Sequence, residues 1–222
     1  MREENIGRLK NYKTDVNDKW FLHHRSLFVD LEEAASHAHG KLLDIGCGNK
    51  PYKHIFENRI AEYIGCDVVQ SSERCVDIIC QADSIPIKNN AIDTILCTQV
   101  LEHVADHRGL LRETFRLLQK GGVLILSCPM YWPLHEEPYD FFRFTEHGLR
   151  YLLESAGFVI HKIKCNGGKW ALCGQVIIHT IDNTRLYNPF LVKMINHFFA
   201  YMDDRRQSYT NPMNYVLVAY KS

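Results

Sequence analysis

An apolar segment that ends in an acid and a Gly-x-Gly turn is the part of this sequence whose residue types best specify a chemistry. Residues 42–48 have the sequence Leu-Leu-Asp-Ile-Gly-Cys-Gly, so Asp44 stands two residues before Gly46. Glycine has no Cβ and adopts positive φ angles, so such a turn lets a ligand contact the backbone. Phosphate-binding loops present N–H groups to negative charge, which a carboxylate here would repel. The segment therefore favours a ligand with a cationic group, such as an ammonium, over a pyrophosphate.

Further polar residues follow at the ends of predicted strands. Asp67 closes a second apolar run 23 residues after Asp44, and a carboxylate there can accept hydrogen bonds from both hydroxyls of a ribose. Asp83, in the segment Gln-Ala-Asp-Ser, is either a ligand contact or a turn residue. Asp93 begins an apolar strand, and we expect it to fix local geometry. His103 follows the same strand and either contacts the reacting groups or caps the next helix.

Strands and helices must alternate along the chain to bring these residues together. The pattern of apolar residues predicts strands at 41–45, 62–67, 76–80, 91–97, 123–127, 158–165 and 215–220. It predicts helices at 20–38, 52–57, 107–118, 146–155, 168–182 and 189–203. Thr145 is the expected N-cap of helix 146–155, and Gly157 is its expected end. Gly121 and Gly122 are expected to end the helix before the fifth strand.

Buried strands separated by helices predict an α/β fold, with a doubly wound, mostly parallel seven-stranded sheet and right-handed crossovers. Ligands of such sheets bind beyond the carboxyl ends of the strands, where the acids and glycines above lie. We divide the chain into an N-terminal helical segment (1–39), an α/β core (40–166), a helical insertion (167–212) and the last core strand (213–222). Apolar residues cover more than one face of helix 189–203, so we expect it to pack in the core or against a partner.

Composition argues against several classes of protein. The 222 residues are 46% hydrophobic, with 26 basic and 26 acidic side chains, and lack the basic excess typical of nucleic-acid binding. No apolar run has the length of a membrane span, and no signal-peptide core follows the charged residues 1–5, so a cytoplasmic location is expected. The eight cysteines are scattered, without a Cys-x-x-Cys pair, and indicate reduced structural thiols.

No metal site is predicted, because the sequence lacks a cluster with metal-ligand spacing. The twelve histidines are scattered. His23 and His24 are adjacent on a predicted helix, so we expect them to point about 100° apart and not to face one ion together.

Five segments in this order resemble the class I S-adenosylmethionine-dependent methyltransferases, of the small bacterial, type 11-like kind. They are 44–48 (Asp-x-Gly-Cys-Gly), Asp67, 82–83 (Ala-Asp), 91–104 (ending Val-Leu-Glu-His-Val) and 117–126. Lys50 departs from the family pattern, since the fuller motif has a third glycine there. The resemblance implies S-adenosylmethionine as methyl donor and S-adenosylhomocysteine as product. It implies cofactor contacts from Asp44, Gly46, Cys47, Gly48, Asp67, Val68, Ala82, Asp83, Ser84, Thr98, Gln99, Val100 and His103.

The aromatic segment 131–145 follows the fifth strand and is expected to lie over the reacting end of the cofactor. It is similar to the His-x-x-Pro-x-Asp-x-x-Arg-[Phe/x]-Thr loop of small bacterial relatives in this family. Aromatic walls with a few polar groups are typical of a small-molecule pocket. The predicted acceptor contacts are Tyr131, Trp132, His135, Tyr139, Asp140 and Arg143. The alternative is a packed loop in which Arg143 pairs with Asp140 or Glu146. The predicted general base is His135, then His103.

The resemblance implies methyl transfer to a small-molecule acceptor, and we expect a hydroxyl of a glycan or secondary metabolite. The donor is already activated, so the protein supplies alignment and, for a hydroxyl, a base. One alternative is a non-catalytic S-adenosylmethionine-binding partner subunit. A nicotinamide dehydrogenase is a second, but it needs the Gly-x-Gly-x-x-Gly motif that this chain lacks.

The helical insertion 167–212 is expected to set acceptor specificity or to form a homodimer contact. Peripheral contact with a membrane through residues 189–202 is a third option, because this segment has little charge. The expected assembly is a monomer or a homodimer.

Overall fold

A computed structural model of the chain describes residues 15–206, 208 and 210–222, which include a single seven-stranded sheet. Residues 1–14 of the N-terminal segment, and residues 207 and 209 of the insertion, lie outside the described residues. The strands are β1 (Lys41–Ile45), β2 (Glu62–Asp67), β3 (Ile78–Ile79), β4 (Ile92–Thr98), β5 (Leu118–Pro129), β6 (Phe158–Asn166) and β7 (Asn214–Lys221).

The strand order is β3-β2-β1-β4-β5-β7-β6. Strands β1 to β5 pair in parallel, whereas β7 runs antiparallel to both β5 and β6. The chain thus moves outward in both directions from β1, which places the carboxyl ends of β1, β2 and β4 side by side. The mostly parallel, doubly wound sheet predicted from the sequence is confirmed.

Six α-helices accompany the sheet in the described part of the chain: α1 (Phe21–Ala34), α2 (Lys53–Phe56), α3 (His107–Leu117), α4 (Glu146–Ser155), α5 (Lys169–Ile181) and α6 (Pro189–Arg205). Short 3-10 helices lie at Ala35–His37 and Leu101–His103. None of these helices combines the length and the apolar composition that a membrane crossing requires.

Side-chain caps fix where two of the helices begin. The Thr145 hydroxyl accepts a hydrogen bond from the Gly148 N–H at 3.1 Å, as expected for the N-cap of α4. Asp106 does the same for α3, accepting from the Gly109 N–H at 2.8 Å. His103 is therefore not the cap of the helix that follows it.

Two apolar clusters cover the two faces of the sheet. Leu43 belongs to the cluster beneath α3 and α4, together with Leu110. Its neighbour Leu42 belongs to the cluster beneath α1, together with Leu31. Successive residues of a strand point to opposite faces, so both faces of β1 are buried and only its carboxyl end is available to a ligand.

Gly121 and Gly122 do not end a helix. Strand β5 already begins at Leu118, so both glycines lie inside it. The pairing of β4 with β5 shifts register between Ile92 and Thr94, and Gly121 has a φ of 78°. The sequence-based expectation is wrong because a bulge and a helix end both require a residue that tolerates positive φ.

The insertion packs on the N-terminal helix. Helices α5 and α6 contact each other and α1, and their shared cluster consists of Leu22, Ala171, Ile178, Ile181, Val192 and Met213. Helix α6 is not sandwiched in the core as one of its two expectations had it: Val192 and Asn196 are buried, but several of its large apolar side chains are exposed. Phe190 is 70% exposed, and Phe198 and Tyr201 are each 55% exposed.

Candidate functional site

Two adjoining cavities lie at the carboxyl ends of β1, β2 and β4. The first has a volume of 260 Å³ and the second a volume of 520 Å³. Four residues line both, namely Gly46, Asp67, Val100 and His103. Their combined volume is in the range of sites that bind a small molecule together with a cofactor.

Asp44 lies at the base of the first cavity, where β1 ends. It is 1% exposed, and the Tyr63 hydroxyl donates a hydrogen bond to its Oδ2 at 2.7 Å. Its Oδ1 has no hydrogen-bond partner. Burial raises the pKa of Asp44 to about 7, although the bond from Tyr63 and the charge of Lys50 oppose this. A cationic donor would satisfy Oδ1 and keep the carboxyl group ionised.

Gly46 separates the two cavities and has no room for a side chain. Its φ is 70°, and a Cβ placed on it would lie 2.4 Å from Cγ2 of Val100. Gly48 also has a positive φ, 48°. The intervening Cys47 is buried, and burial raises the pKa of its thiol, so it is not a nucleophile. The turn therefore offers bare backbone to a ligand.

Asp67 lies at the end of β2 and faces both cavities. Its Oδ2 accepts a hydrogen bond from the Gly48 N–H at 3.1 Å, and its Oδ1 accepts one from the Val68 N–H at 2.7 Å. These contacts orient the carboxylate. The oriented carboxylate lines both cavities, where it can accept a hydrogen bond from a ligand hydroxyl.

Most of the other predicted cofactor contacts also line a cavity. In the first cavity these are Cys47, Gly48, Thr98 and Gln99, and in the second they are Val68, Ala82 and Asp83. Ser84 lies outside both linings, and its N–H donates to the Gln81 carbonyl at 3.2 Å. Asp93 is at the opposite end of β4, where it accepts from the Lys41 N–H at 2.6 Å and fixes the start of β1 as expected.

No lysine or arginine lines either cavity in the described part of the chain. Lys50, the basic residue of the turn, forms an ion pair with Asp77 at 2.5 Å and lines neither cavity. The acidic residues of the linings are Asp44, Asp67, Asp83, Asp106 and Glu136. This charge pattern favours a cationic ligand and disfavours a dinucleotide pyrophosphate.

Two histidines meet where the cavities join. His103 is 8% exposed, and its Nδ1 lies 2.8 Å from the Tyr139 carbonyl oxygen. Its ring meets that of His135 edge to face, with centroids 4.6 Å apart. His135 lines the first cavity, and its Nδ1 lies 3.2 Å from Asp140 Oδ2.

Glu102 is a functional candidate that the sequence analysis missed. It is 0% exposed, and neither of its carboxylate oxygens has a hydrogen-bond partner. Burial raises its pKa to about 8. One potential ligand atom each from Glu102, His103 and His135 lies within 4.8 Å of the others. Folding thus brings together three side chains that the sequence spacing did not group, since Glu102 and His135 are 33 positions apart.

His23 and His24 both line the first cavity, with ring centroids 5.0 Å apart. Both rings reach the cavity because it extends around the first turn of α1, and the expectation that they do not face one ion together stays a prediction. The His23 Nε2 lies 3.0 Å from Asn214 Oδ1, and its ring lies 4.1 Å from that of Trp132. Tyr52 is a further lining residue that the sequence did not reveal.

Arg143 and Asp140 hold the aromatic loop together. Arg143 Nη1 and Nη2 donate to the two oxygens of Asp140 at 2.6 and 2.8 Å. Arg143 also donates to the carbonyl oxygens of Trp132, Pro133 and Phe142. Burial opposes ionisation of Asp140, but hydrogen bonds from Arg143 and from the His135 N–H outweigh it and lower its pKa to about 2.

The predicted acceptor contacts therefore divide into two groups. Trp132 and His135 line the first cavity, and Tyr139 lines the second. Tyr131, Asp140 and Arg143 line neither. Asp140 and Arg143 match the packed-loop alternative, because they form an ion pair with each other inside the loop.

The sequence and the fold are similar to those of known methyltransferases. Residues 43–126 match the protein family described as "Methyltransferase domain". The chain is 32% identical over 124 residues to a tRNA (carboxymethyluridine(34)-5-O)-methyltransferase of Xenopus tropicalis, covering 50% of this chain and 18% of the relative. It is 27% identical over 113 residues to a ubiquinone biosynthesis O-methyltransferase of Pseudomonas putida, covering 44% and 47%. The chain spans 18–60% of the length of the first curated relatives it matches.

Solved structures share the fold. An S-adenosylmethionine-dependent methyltransferase from Mesorhizobium loti superposes with a TM-score of 0.60 at 16% identity, over 90% of this chain and 100% of that one. The [4+2]-cyclase SpnF superposes with a TM-score of 0.59 at 21% identity, over 95% and 85%. At these identities the likeness concerns the fold alone.

Proposed function

We propose that the chain transfers a methyl group from S-adenosylmethionine to a hydroxyl of a small molecule, since residues 43–126 match the family described as "Methyltransferase domain". The observation that supports the proposal is the pair of adjoining cavities, whose linings in the described part of the chain contain no lysine or arginine. They divide the site into an adenosine end and a reacting end, with Gly46 and His103 at their junction.

The residues fit the cofactor group by group. Asp44 offers its unpartnered Oδ1 to the ammonium, and the backbone of the 46–48 turn allows close approach. Asp67, in both linings, accepts from the ribose hydroxyls, and Asp83 lies in the second cavity for the adenine amino group. Bound S-adenosylmethionine supplies an activated methyl group, which leaves its sulfonium for the acceptor oxygen while the sulfur keeps the electron pair.

The first cavity is suited to a small acceptor with a ring. Rings of His23, Tyr52 and Trp132 form its walls, and His24 and His135 add polar groups. Aromatic walls contribute contact area, and few polar groups fix orientation. The net charge of zero, and the lack of lysine and arginine in the cavity linings of the described residues, disfavour a polyanion such as RNA. The insertion contacts this cavity's wall through His179, 4.9 Å from the Trp132 ring, and we assign it a part in acceptor specificity.

His135 is suited to remove the acceptor proton. Its Nδ1 lies 3.2 Å from both Asp140 Oδ2 and the Pro133 carbonyl oxygen, which only accept hydrogen bonds, so Nδ1 holds the ring proton. The lone pair of Nε2 then accepts the hydroxyl proton as the oxygen–carbon bond forms. His103, 4.6 Å away between ring centroids, is the second candidate.

Ligand-induced stabilisation tests the cofactor assignment. S-adenosylmethionine and S-adenosylhomocysteine should each stabilise the chain by ~2.7 kcal/mol at 100 times the dissociation constant, whereas NAD should not. Replacing Asp67 with alanine should remove most of the effect, because the ribose contact is lost. Asp204→Ala, an exposed acid on α6, is the matched control and should keep it. Stabilisation by NAD alone would overturn the proposal.

The proposed role of His135 as general base is tested by measuring methyl transfer from labelled S-adenosylmethionine. With a panel of hydroxylated ring compounds, His135→Ala should lower turnover by about 10²–10⁴-fold, and the double variant with His103→Ala should be lower still. The exposed His54→Ala variant should match the unaltered chain. Full turnover by the double variant would remove both histidines from the role. Cofactor binding without transfer to any acceptor would favour the non-catalytic subunit.

A further inference from the structure

Glu102 is a fully buried group that the mechanism above does not use. It follows β4 in the 3-10 helix Leu101–His103, and both of its carboxylate oxygens lack a hydrogen-bond partner. An unpaired buried carboxyl group costs several kcal/mol relative to one with partners, unless something satisfies it. The Nε2 atom of His103 lies 3.8 Å from Glu102 Oε1. This distance is too long for a hydrogen bond.

The two neighbouring histidines have the tautomer that metal ligation needs. The partner of His103 Nδ1 is the Tyr139 carbonyl oxygen, which only accepts, so the proton is on Nδ1 and the lone pair is on Nε2. His135 has the same arrangement, with Nδ1 near Asp140 Oδ2 and the Pro133 carbonyl. Metal-bound histidines characteristically donate their other ring N–H to a carboxylate or a backbone carbonyl.

The spacing of the three side chains also suits an ion. Two ligand atoms that are each about 2.1 Å from a metal can be at most about 4.2 Å apart. The 3.8 Å between Glu102 and His103 lies within this limit. One potential ligand atom from each of the three side chains lies within 4.8 Å of the others, so the three would have to draw together by up to about 0.6 Å to share an ion.

We propose that Glu102, His103 and His135 bind a divalent first-row transition-metal ion through one carboxylate oxygen and the two Nε2 atoms. Two imidazoles and a carboxylate favour ions such as Zn²⁺, Fe²⁺ or Co²⁺ over Mg²⁺ and Ca²⁺, which prefer oxygen ligands. Asp140 orients His135 and is itself held by two hydrogen bonds from Arg143, which completes the outer layer of the site. Three protein ligands leave coordination positions free for a small molecule.

The role of the ion rests on the proposed function, whereas its binding does not. His103 and His135 line the first cavity, so a bound ion has its free positions beside the acceptor. A hydroxyl on such an ion becomes more acidic and can release its proton to water, after which the oxygen takes the methyl group. The Nε2 lone pair of His135 cannot bind the ion and a proton at once, so His135 is a ligand in the metal-loaded chain and the general base in the metal-free chain.

Cobalt titration of the full chain tests the site in the absence of cofactor and acceptor. After removal of metals with a chelator, we expect one Co²⁺ to bind per chain, with visible absorption that lacks an intense sulfur-to-cobalt band. Mg²⁺ should not compete at equal concentration. The variants Glu102→Gln, His103→Ala and His135→Ala should each weaken binding tenfold or more. His54→Ala and Glu137→Gln remove the same chemical groups elsewhere and should bind like the unaltered chain.

Equal cobalt affinity in all five variants, or a sulfur-to-cobalt band, would overturn the proposal. Glu102→Gln keeps the size of the side chain, so a folded variant that still binds Co²⁺ at full affinity counts against it. Binding of S-adenosylmethionine is measured separately, as a shift in the melting temperature. Cobalt binding without a thermal shift by the cofactor would support the metal site and contradict the methyltransferase proposal. A thermal shift by the cofactor without cobalt binding would support the methyltransferase proposal and contradict the metal site.

Discussion

Replacing Asp44 with asparagine should weaken S-adenosylmethionine binding while making the cofactor-free chain more stable. The carboxylate gives the ammonium a charge-assisted hydrogen bond, and such bonds are worth about 1.5–3 kcal/mol, or roughly 10–100-fold in affinity. In the free chain the same carboxyl group is buried, with Oδ1 unpartnered. Asparagine keeps an acceptor for the Tyr63 hydroxyl and has no charge to desolvate.

The pH dependence of the stability of the free chain, and of its affinity for S-adenosylmethionine, follows from the direction of the pKa shift of Asp44. Burial raises the pKa of Asp44 to about 7 in the free chain, above the value of about 3.9 for an unfolded chain. The folded state then binds the proton more tightly, so this group lowers stability as pH rises from about 4 to about 7. Cofactor affinity has the opposite trend, because only the carboxylate attracts the ammonium. It should fall up to tenfold per unit below about pH 7.

Calorimetric titration at pH 6 and pH 8, with thermal unfolding at both, measures these effects. The Asp44→Asn variant should lose the pH dependence of binding, and its gain in stability should be larger at pH 8. Asp204→Asn, an acid that lines neither cavity, should change neither quantity. Equal affinity of the Asp44→Asn variant and the unaltered chain would show that Asp44 does not contact the cofactor.

Replacing Arg143 with methionine should lower the free energy of unfolding by about 3 kcal/mol or more. Removing one partner of a buried ion pair leaves the other charged and without a partner, and this typically costs 3–5 kcal/mol. Asp140 is 1% exposed at its side chain, and its two oxygens accept from Arg143 at 2.6 and 2.8 Å. The carbonyl oxygens of Trp132 and Pro133 lose donors as well.

Arg150→Met is a matched control on the next helix. Its guanidinium makes only exposed contacts, at 3.6 Å to Glu146 and 3.9 Å to Glu154. Such pairs contribute at most about 1 kcal/mol. Urea unfolding followed by tryptophan fluorescence measures both variants. Arg143→Lys should recover less than half of the loss, since one ammonium cannot replace a bidentate fork. Similar losses for Arg143→Met and Arg150→Met would contradict the assigned role of the loop.

The positions of the residues that we propose to contact the cofactor could be predicted from the sequence because they depend on local geometry. A parallel strand followed by a tight turn places its last residues at the sheet edge, so Asp44, Gly46 and Asp67 could be located from their positions in strands. The predictions that were wrong concern residue types that occur in two different kinds of structure. Gly121 lies in a bulge instead of at a helix end, and the apolar residues of α6 lie on an exposed face.

The reacting end depends on contacts between distant parts of the chain, which periodicity does not specify. Glu102 meets His135 only because the loop after β5 folds back over the end of β4. His23 reaches the site from α1, and Arg143 points into its own loop. A buried acid directly before a histidine at a strand end was the available signal for Glu102.

Strand β7 has a consequence for the order in which the two ends of the site form. It lies between β5 and β6, although it follows both in the chain after the long insertion, and β6 joins the described sheet only through β7. Pairing across that insertion requires a large loop to close, which slows folding. Strands β1, β2 and β4 pair within residues 41–98, whereas the Asn214 that contacts His23 arrives with β7. We therefore expect a nascent or refolding chain to acquire a cofactor-binding edge first and an acceptor cavity last.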